Sequence, residues 1–208
     1  MKVLMINGSC HENGCTYTAL SKVAEVLNNH NIDTEIYQLG SQPIKDCIGC
    51  LACRNLENNC VFNNDCVNEI INKAKNAGGF IFGTPVYYAH PSGRILSALD
   101  RIFYAGGSVF AHKPAAAIAS ARRAGTTASL DVLNKYFTIA QMPVVSSTYW
   151  NMVHGARAED VLKDDEGLQT MRNIGENMAW LLKCIESGKN SGVPSPNIEK
   201  KHRTNFIR

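Results

Sequence analysis

The sequence predicts an α/β fold built on a parallel, doubly wound sheet. Five apolar segments of strand length recur along the chain, and longer stretches with helical periodicity separate them. The chain has 208 residues, which is the size of one domain, and a content of 45% apolar and 19% charged residues is typical of globular proteins. These observations exclude a disordered or fibrous protein.

Strands and helices alternate from the first residues onward. The run 3–6 is continuously apolar, and the helix predicted over 17–29 has apolar residues at helical spacing and closes on two asparagines. Strands at 34–39, 79–82, 115–119 and 144–147 then alternate with helices over 68–76, 91–103 and 127–140. The last helix, 166–187, has an apolar stripe formed by Leu168, Met171, Ile174, Met178, Leu181, Leu182 and Ile185.

Charge is unevenly distributed along the chain. The formal net charge is +3, but residues 189–208 contain five basic residues and one acidic residue, so the rest of the chain is close to −1. We therefore expect one domain over 1–187 and a basic tail over 188–208 that is solvated or packed on a neighbouring subunit. With no basic face, no membrane-spanning apolar run and no export signal, the sequence favours a cytoplasmic protein that binds neither nucleic acid nor membrane.

The loop after the first strand, 8–16, is polar, bounded by glycines and opens into the first helix. Its backbone amides and hydroxyl groups suit a phosphate group. It lacks the Gly-Lys pair of a Walker A loop and the G-x-G-x-x-G fingerprint, so a nucleotide triphosphate site and a Rossmann NAD site lose their main support. A cysteine phosphatase would need an arginine closing the loop, where Thr16 stands, and an ordinary strand-to-helix turn is the remaining alternative. The candidate binding residues are Ser9, Cys10, His11, Gly14, Cys15 and Thr16.

A second loop, 83–93, follows the third strand. Two prolines stiffen it, and two adjacent tyrosines supply ring surface that suits a flat aromatic ligand. Ligands of doubly wound sheets bind at the carboxyl ends of the strands, so this loop should face the phosphate-type loop. Its candidate residues are Thr84, Pro85, Val86, Tyr87 and Tyr88.

Five of the eight cysteines lie within the segment 44–66. In a protein without an export signal, clustered cysteines are usually reduced thiols or metal ligands and seldom form structural disulfides. The spacing C-x2-C-x2-C-x6-C of Cys47, Cys50, Cys53 and Cys60 suits a [4Fe-4S] cluster. Unligated thiols, zinc and a redox disulfide remain alternatives. Cys66 is interpreted as a spare thiol, and Cys184 as a buried inert thiol on the last helix.

Several of these residues together carry a family resemblance. The two loops and a later Asp-Arg pair resemble the motifs of the flavodoxin-like NAD(P)H-dependent FMN reductases. The matching residues are Gly8-Ser9, Gly14, Thr16, Thr84-Pro85-Val86-Tyr87 and Asp100-Arg101. The cysteine spacing resembles that of the iron-sulfur flavoproteins within this family. The resemblance covers about residues 1–187. It implies a flavodoxin-like sheet of five parallel strands in the order 2-1-3-4-5, with helices on both faces.

The resemblance also implies the cofactor and its surroundings. FMN would lie across the two loops, with a third loop containing Ser120, Arg122 and Gly125 near the pyrimidine side of the flavin. The segment 149–155 would cover the flavin or form a dimer contact, and the chain would be a homodimer or homotetramer. Cys10, His11 and Cys15 replace the usual proline, arginine and asparagine, so we expect weaker FMN affinity than is usual for the family.

The expected function follows from the same resemblance. An FMN-dependent oxidoreductase would move electrons from NAD(P)H or ferredoxin through FMN, with or without a [4Fe-4S] cluster, to a quinone, flavin or other small-molecule acceptor. Hydride transfer to flavin needs no protein acid or base, so no catalytic side chain is predicted. The alternatives are a non-enzymatic electron carrier of flavodoxin type and a zinc-binding regulatory module.

Overall fold

The computed structural model describes residues 1–199, 202 and 204–206. Its strands are β1 (Lys2–Asn7), β2 (Asp33–Gln38), β3 (Gly79–Tyr87), β4 (His90–Pro91), β5 (Ala115–Ala121) and β6 (Met152–His154). Its helices are α1 (Cys15–Asn29), α2 (Val67–Lys75), α3 (Gly93–Phe110), α4 (Thr126–Ile139), α5 (Ala158–Val161) and α6 (Asp165–Asn190). Of the basic tail residues, 200, 201, 203 and 208 lie outside the described part of the chain.

The parallel sheet has the strand order β2-β1-β3-β5-β6, and the short β4 pairs antiparallel with the end of β3. Alternate residues of β1, β3 and β5 point to opposite faces, as the pleat of a strand requires. Leu4, Phe80 and Ala117 pack with α2, α3 and α4, whereas Val3 and Ile81 pack with α1 and α6. The predicted α/β class, the order of the five parallel strands and the placement of helices on both faces are confirmed.

The fifth strand lies later in the chain than the sequence predicts. Residues 144–147 form only an isolated bridge from Val144 to Ala115, and the strand that pairs with β5 is Met152–His154. The segment between them leaves the sheet because its polar groups bond elsewhere. Asn177 of α6 donates to the Ser146 carbonyl at 2.8 Å, and Asn173 donates to the Thr148 hydroxyl at 2.8 Å. We call 146–151 the edge bulge.

The helix α3 runs past its predicted end at residue 103. The pair Gly106-Gly107 weakens the helical pattern, yet the helix continues to Phe110 with non-helical dihedral angles at Gly106. A Cβ atom at Gly106 would lie 2.8 Å from Ile71 Cγ2 of α2, so the close packing of these two helices requires glycine.

The cysteine-rich segment joins β2 to α2 and lies against α3. It contains one short 3₁₀ helix at Ala52–Asn55, and most of its side chains are exposed or partly exposed. Cys184, predicted to be buried, is exposed, because it lies at the margin of the apolar stripe of α6. No helix among the described residues combines the length and apolar character that crossing a bilayer requires.

Candidate functional site

A cleft of about 540 Å³ opens at the carboxyl ends of β1, β3, β5 and β6. Loops from four separate parts of the chain line it, since parallel strands bring their carboxyl ends to one edge of the sheet. The lining residues are Ser9, His11, Asn13, Gly14, Cys15, Thr16, Pro85, Val86, Tyr87, Ser120, Ala121, Arg122, Gly155, Ala156 and Arg157.

The loop after β1 is shaped by hydrogen bonds to its neighbours. The Gly8 amide donates to the Gly83 carbonyl at 2.8 Å, and a Cβ atom on Gly8 would lie 2.8 Å from that oxygen. Ser9 Oγ accepts from the His11 amide at 3.1 Å, and Gln38 donates to the Ser9 carbonyl at 2.7 Å. These bonds fix the curve that leads into α1, so the amides at the start of that helix face the cleft.

Below this loop, a buried hydroxyl pair joins α1 to β5. Thr16 Oγ1 and Ser120 Oγ are 2.8 Å apart, and both residues are buried. A Cβ atom on Gly83 would lie 2.7 Å from Thr16 Cγ2, so the glycine at the end of β3 allows this approach. The pair sets the floor of the cleft between the first and third loops.

The charge of the cleft suits an anion. Its lining includes His11, Arg122 and Arg157, and none of the described lining residues is Asp or Glu. Cys15 Sγ donates to the Gly155 carbonyl at 3.5 Å, and burial raises the pKa of this thiol, so it remains protonated near neutral pH. The amides, hydroxyl groups and cationic side chains of this cleft therefore fit an anionic ligand such as FMN.

The second loop is a tight hairpin. Tyr87 pairs with His90, and the two residues between them, Tyr88 and Ala89, have φ values of 51° and 58°. Positive φ at both central positions is what a type I′ turn requires. Gly125 packs directly against Ala89 and has a φ of 96°, so a left-handed glycine of the third loop supports the hairpin.

The structure brings most of the predicted binding residues together. Four of them do not line the cleft. Thr84 is buried and accepts a hydrogen bond from the Ser92 amide at 3.0 Å, and Gly125 supports the hairpin. Cys10 is exposed, with its sulfur 3.9 Å from the Tyr87 hydroxyl, and the Tyr88 side chain points fully into solvent. The predicted flavin-covering residues Tyr149 and Trp150 are also largely exposed.

The predicted binding residues did not include Asn13, Ala121, Gly155, Ala156 and Arg157, which also line the cleft. Gly155, Ala156 and Arg157 follow β6, whereas the sequence predicted the fifth strand at 144–147. The available signal was the Met-Val-His run at 152–154 followed by Gly155, which has the form of a strand that ends in a ligand loop.

The four clustered cysteines lie around a second, much smaller cavity. Cys47, Cys50, Cys53 and Cys60 all line a space of about 20 Å³ between the cysteine-rich segment and α3, and Cys66 does not. Burial raises the pKa of the Cys53 thiol, and the other three thiols raise it further. Among the described residues, no group of three or more His, Cys, Asp or Glu side chains is arranged to hold a metal ion. In number and type, however, the donor set matches an iron-sulfur cluster.

Comparison with known proteins agrees with this geometry. The sequence profile of the NADPH-dependent FMN reductases matches residues 1–157. The chain belongs to this family. An iron-sulfur flavoprotein of Methanocaldococcus jannaschii is 30% identical over 201 residues, which is 89% of this chain and all of that protein. One from Methanosarcina thermophila is 23% identical and covers 91% of this chain and 99% of its own.

Solved structures show the same fold at lower identity. An NADH:FMN oxidoreductase in its apo form has a TM-score of 0.63 and 20% identity, covering 86% of this chain and 89% of that one. A flavodoxin from the domain Archaea has a TM-score of 0.60 and 14% identity, covering 88% and 99%. This FMN reductase family member is thus an FMN-dependent oxidoreductase of the iron-sulfur flavoprotein branch.

Proposed function

We propose that the chain moves electrons from NADH, NADPH or reduced ferredoxin, through FMN and a [4Fe-4S] cluster, to a quinone, flavin or other small-molecule acceptor. The observation that supports this proposal is that one helix, α3, joins the two sites. Ser92 caps the start of α3, and its hydroxyl donates to the Gly8 carbonyl in loop 8–16 at 3.0 Å. Arg101 and Tyr104 of the same helix line the cavity of the four thiols.

Different residues of the cleft would bind different parts of FMN. The amides at the start of α1, together with Ser9, His11 and Arg157, suit the phosphate group. Pro85, Val86 and Tyr87 offer apolar surface to the flavin ring. Arg122 would stabilise negative charge on the pyrimidine side, as the family resemblance implies.

The thiols of Cys47, Cys50, Cys53 and Cys60 would hold the cluster. Bound FMN would supply hydride acceptance and one-electron release, and a bound cluster would supply one-electron transfer. The protein's own contribution is to connect the two sites through α3, whose first turn is capped by Ser92 beside loop 8–16 and whose Arg101 and Tyr104 line the thiol cavity.

The first experiment is the visible spectrum of anaerobically purified protein, with iron and acid-labile sulfide measured on the same sample. Flavin bands with a broad shoulder and about four irons per chain would support the proposal. Flavin bands without iron would overturn the cluster and leave the FMN-dependent oxidoreductase. A colourless protein with stoichiometric zinc and no flavin would instead indicate a zinc-binding regulatory module.

A matched pair of variants tests the ligand set. Cys50→Ser should remove the cluster absorbance and iron while FMN stays bound. Cys184→Ser changes another exposed thiol, on α6, and should leave the spectrum unchanged. Equal iron content in the two variants would contradict the assignment.

Turnover separates an enzyme from a carrier. Steady-state oxidation of NADH or NADPH, with ferricyanide or a quinone as acceptor, should proceed catalytically. Bound FMN with negligible turnover would be the behaviour of a flavodoxin-type electron carrier. Sedimentation velocity tests the homodimer or homotetramer that we also propose, and a monomer would contradict it.

A further inference from the structure

The cysteine-rich segment is attached to one face of α3. Three α3 side chains, Arg94, Arg101 and Ser108, donate hydrogen bonds to the connection 39–66, which joins β2 to α2 and contains the cysteine-rich segment. Arg94 and Arg101 are seven residues apart, which is almost two helical turns, so they project from the same face of α3. Ser108 follows the non-helical Gly106 and contacts the same connection. The outer two make simple contacts: Arg94 donates to the carbonyls of Ser41 and Gln42, and Ser108 donates to the Asn58 side chain.

Arg101 makes a denser set of contacts, and its side chain is 1% exposed. Its guanidinium donates to the Asp65 carboxylate and to the carbonyls of Lys45 at 3.1 Å and Phe62 at 3.0 Å. Its Nε donates to Cys60 Sγ at 3.3 Å. Burial alone would lower the pKa of Arg101, but the hydrogen bonds to Asp65 and Cys60 raise it, so the group stays charged.

Cys60 is also fixed through its backbone. Its amide donates to Asn68 Oδ1 at 2.7 Å, and Asn68 Nδ2 donates back to the Cys60 carbonyl at 2.9 Å. Cys50, in the same cavity, is exposed on the outer loop. Cys60 is therefore held from both its backbone and its sulfur, next to a permanent positive charge.

A purely structural role would require only the buried ion pair. An arginine that served only to neutralise Asp65 and brace the segment would have no need to direct an N–H group at a sulfur atom. Hydrogen bonds to cluster sulfurs and nearby charge are established means by which proteins set cluster potentials. A thiolate that accepts an N–H bond is less electron-rich, so the more negative, reduced state of its cluster is favoured.

We propose that Arg101 is a positioning residue of the thiol site, and that its N–H···S bond to Cys60 raises the reduction potential of the bound cluster. The proposal rests on the [4Fe-4S] cluster proposed above. It assigns Arg101 of the Asp100-Arg101 motif, which lies outside the FMN cleft, to the iron-sulfur site.

The test compares Arg101→Lys with Arg94→Lys. Both substitutions keep a positive charge on the same face of α3, but only the first removes a guanidinium bonded to a thiol. We measure FMN, iron and sulfide content, and the midpoint potential of the cluster in an EPR-monitored redox titration. In Arg101→Lys the equilibrium constant for reduction should fall about tenfold, which is about 59 mV for one electron. In Arg94→Lys it should change less than about twofold, or about 18 mV.

The outcomes distinguish the two proposals. If the wild-type protein contains no iron and sulfide, both the proposed [4Fe-4S] cluster and the proposed role of Arg101 are wrong. Iron in all three proteins with equal potentials overturns the inference alone. If Arg101→Lys keeps FMN but loses iron while Arg94→Lys keeps both, the positioning role is supported. In that case the midpoint potential of the cluster is measured in Asp65→Asn. This substitution removes a buried negative charge and should raise the potential. An unchanged or lower potential would overturn the proposal that Arg101 raises the reduction potential.

Discussion

Substituting alanine for Gly125 should weaken both the folded protein and its flavin site. Gly125 has a φ of 96°, and a Cβ atom there would lie 2.4 Å from Ala89 Cα and 2.8 Å from Val86 Cγ1. Backbone atoms cannot rotate away as the end of a flexible side chain can. The alanine would therefore push the third loop away from the hairpin that contains Val86 and Tyr87.

The size of the effect follows from two contributions. The left-handed backbone costs alanine about 1–2 kcal/mol, partly offset by about 0.4–1 kcal/mol from the smaller entropy of the unfolded chain. Steric overlap in a packed site adds about 1–3 kcal/mol. Gly40→Ala is the matched control, because Gly40 has a φ of 70° and nothing within 4 Å of its added Cβ. We expect a loss of about 2–4 kcal/mol for Gly125→Ala and about 1 kcal/mol for Gly40→Ala.

Urea unfolding of the FMN-free proteins, followed by circular dichroism, measures both losses without the stabilisation that bound FMN would add. FMN fluorescence quenching then measures affinity, which should fall for Gly125→Ala and stay unchanged for Gly40→Ala. Equal stability losses in the two variants would refute the argument from contact with Ala89. Unchanged FMN affinity in Gly125→Ala would refute the argument that this contact shapes the flavin loop.

Three further predictions test other parts of the structure. Thr16→Val leaves the Ser120 hydroxyl without its buried partner and should lower the free energy of unfolding by about 1–3 kcal/mol in urea denaturation; a change below about 0.5 kcal/mol would show that this bond contributes nothing. Phe137→Ala removes a buried ring and should cost about 3–5 kcal/mol, whereas Ile139→Ala, whose side chain is 72% exposed, should cost under about 0.5 kcal/mol; similar losses would contradict the burial. Hydrogen bonds from two lysines lower the pKa of Glu35 below its ordinary 4.5, so the unfolded state binds its proton first and stability is lost as the pH falls through the folded pKa. Glu35→Gln should make the unfolding free energy fall less steeply as the pH drops below the ordinary pKa of this residue, and an unchanged pH profile would argue against that ion pairing.

The parts of the site that depend on local sequence could be predicted. The loop of Ser9 and Thr16 and the loop of Pro85 and Tyr87 each follow a strongly apolar strand, and the fold alone places such loops at one edge of the sheet. The order of the parallel strands followed from the family resemblance.

Other features depend on contacts between distant residues. Both 144–147 and 152–154 contain apolar residues of strand type. Asn173 and Asn177 of α6, which are 25 and 31 residues from their partners Thr148 and Ser146, hold the segment between these runs away from the sheet. The hairpin turn at Tyr88 and Ala89 lacks the Asn-Gly or Asp-Gly pair that usually indicates such a turn. Its conformation is supported by Gly125, which packs against Ala89. The contacts of Arg101 reach residues 36 to 56 positions away, which the sequence does not indicate.

The edge bulge also bears on how this protein avoids aggregation. An exposed edge strand offers unpaired N–H and C=O groups on which another chain can add a strand. Here β6 has only three residues, and the bulge before it has the Ser146 carbonyl already bonded to α6. At the opposite edge, β2 begins with the exposed Asp33, and a charged side chain on an edge strand opposes stacking of like copies. Concentrated protein should therefore resist fibre-like association, and copies of this chain should assemble through helices and loops and not by extending the sheet.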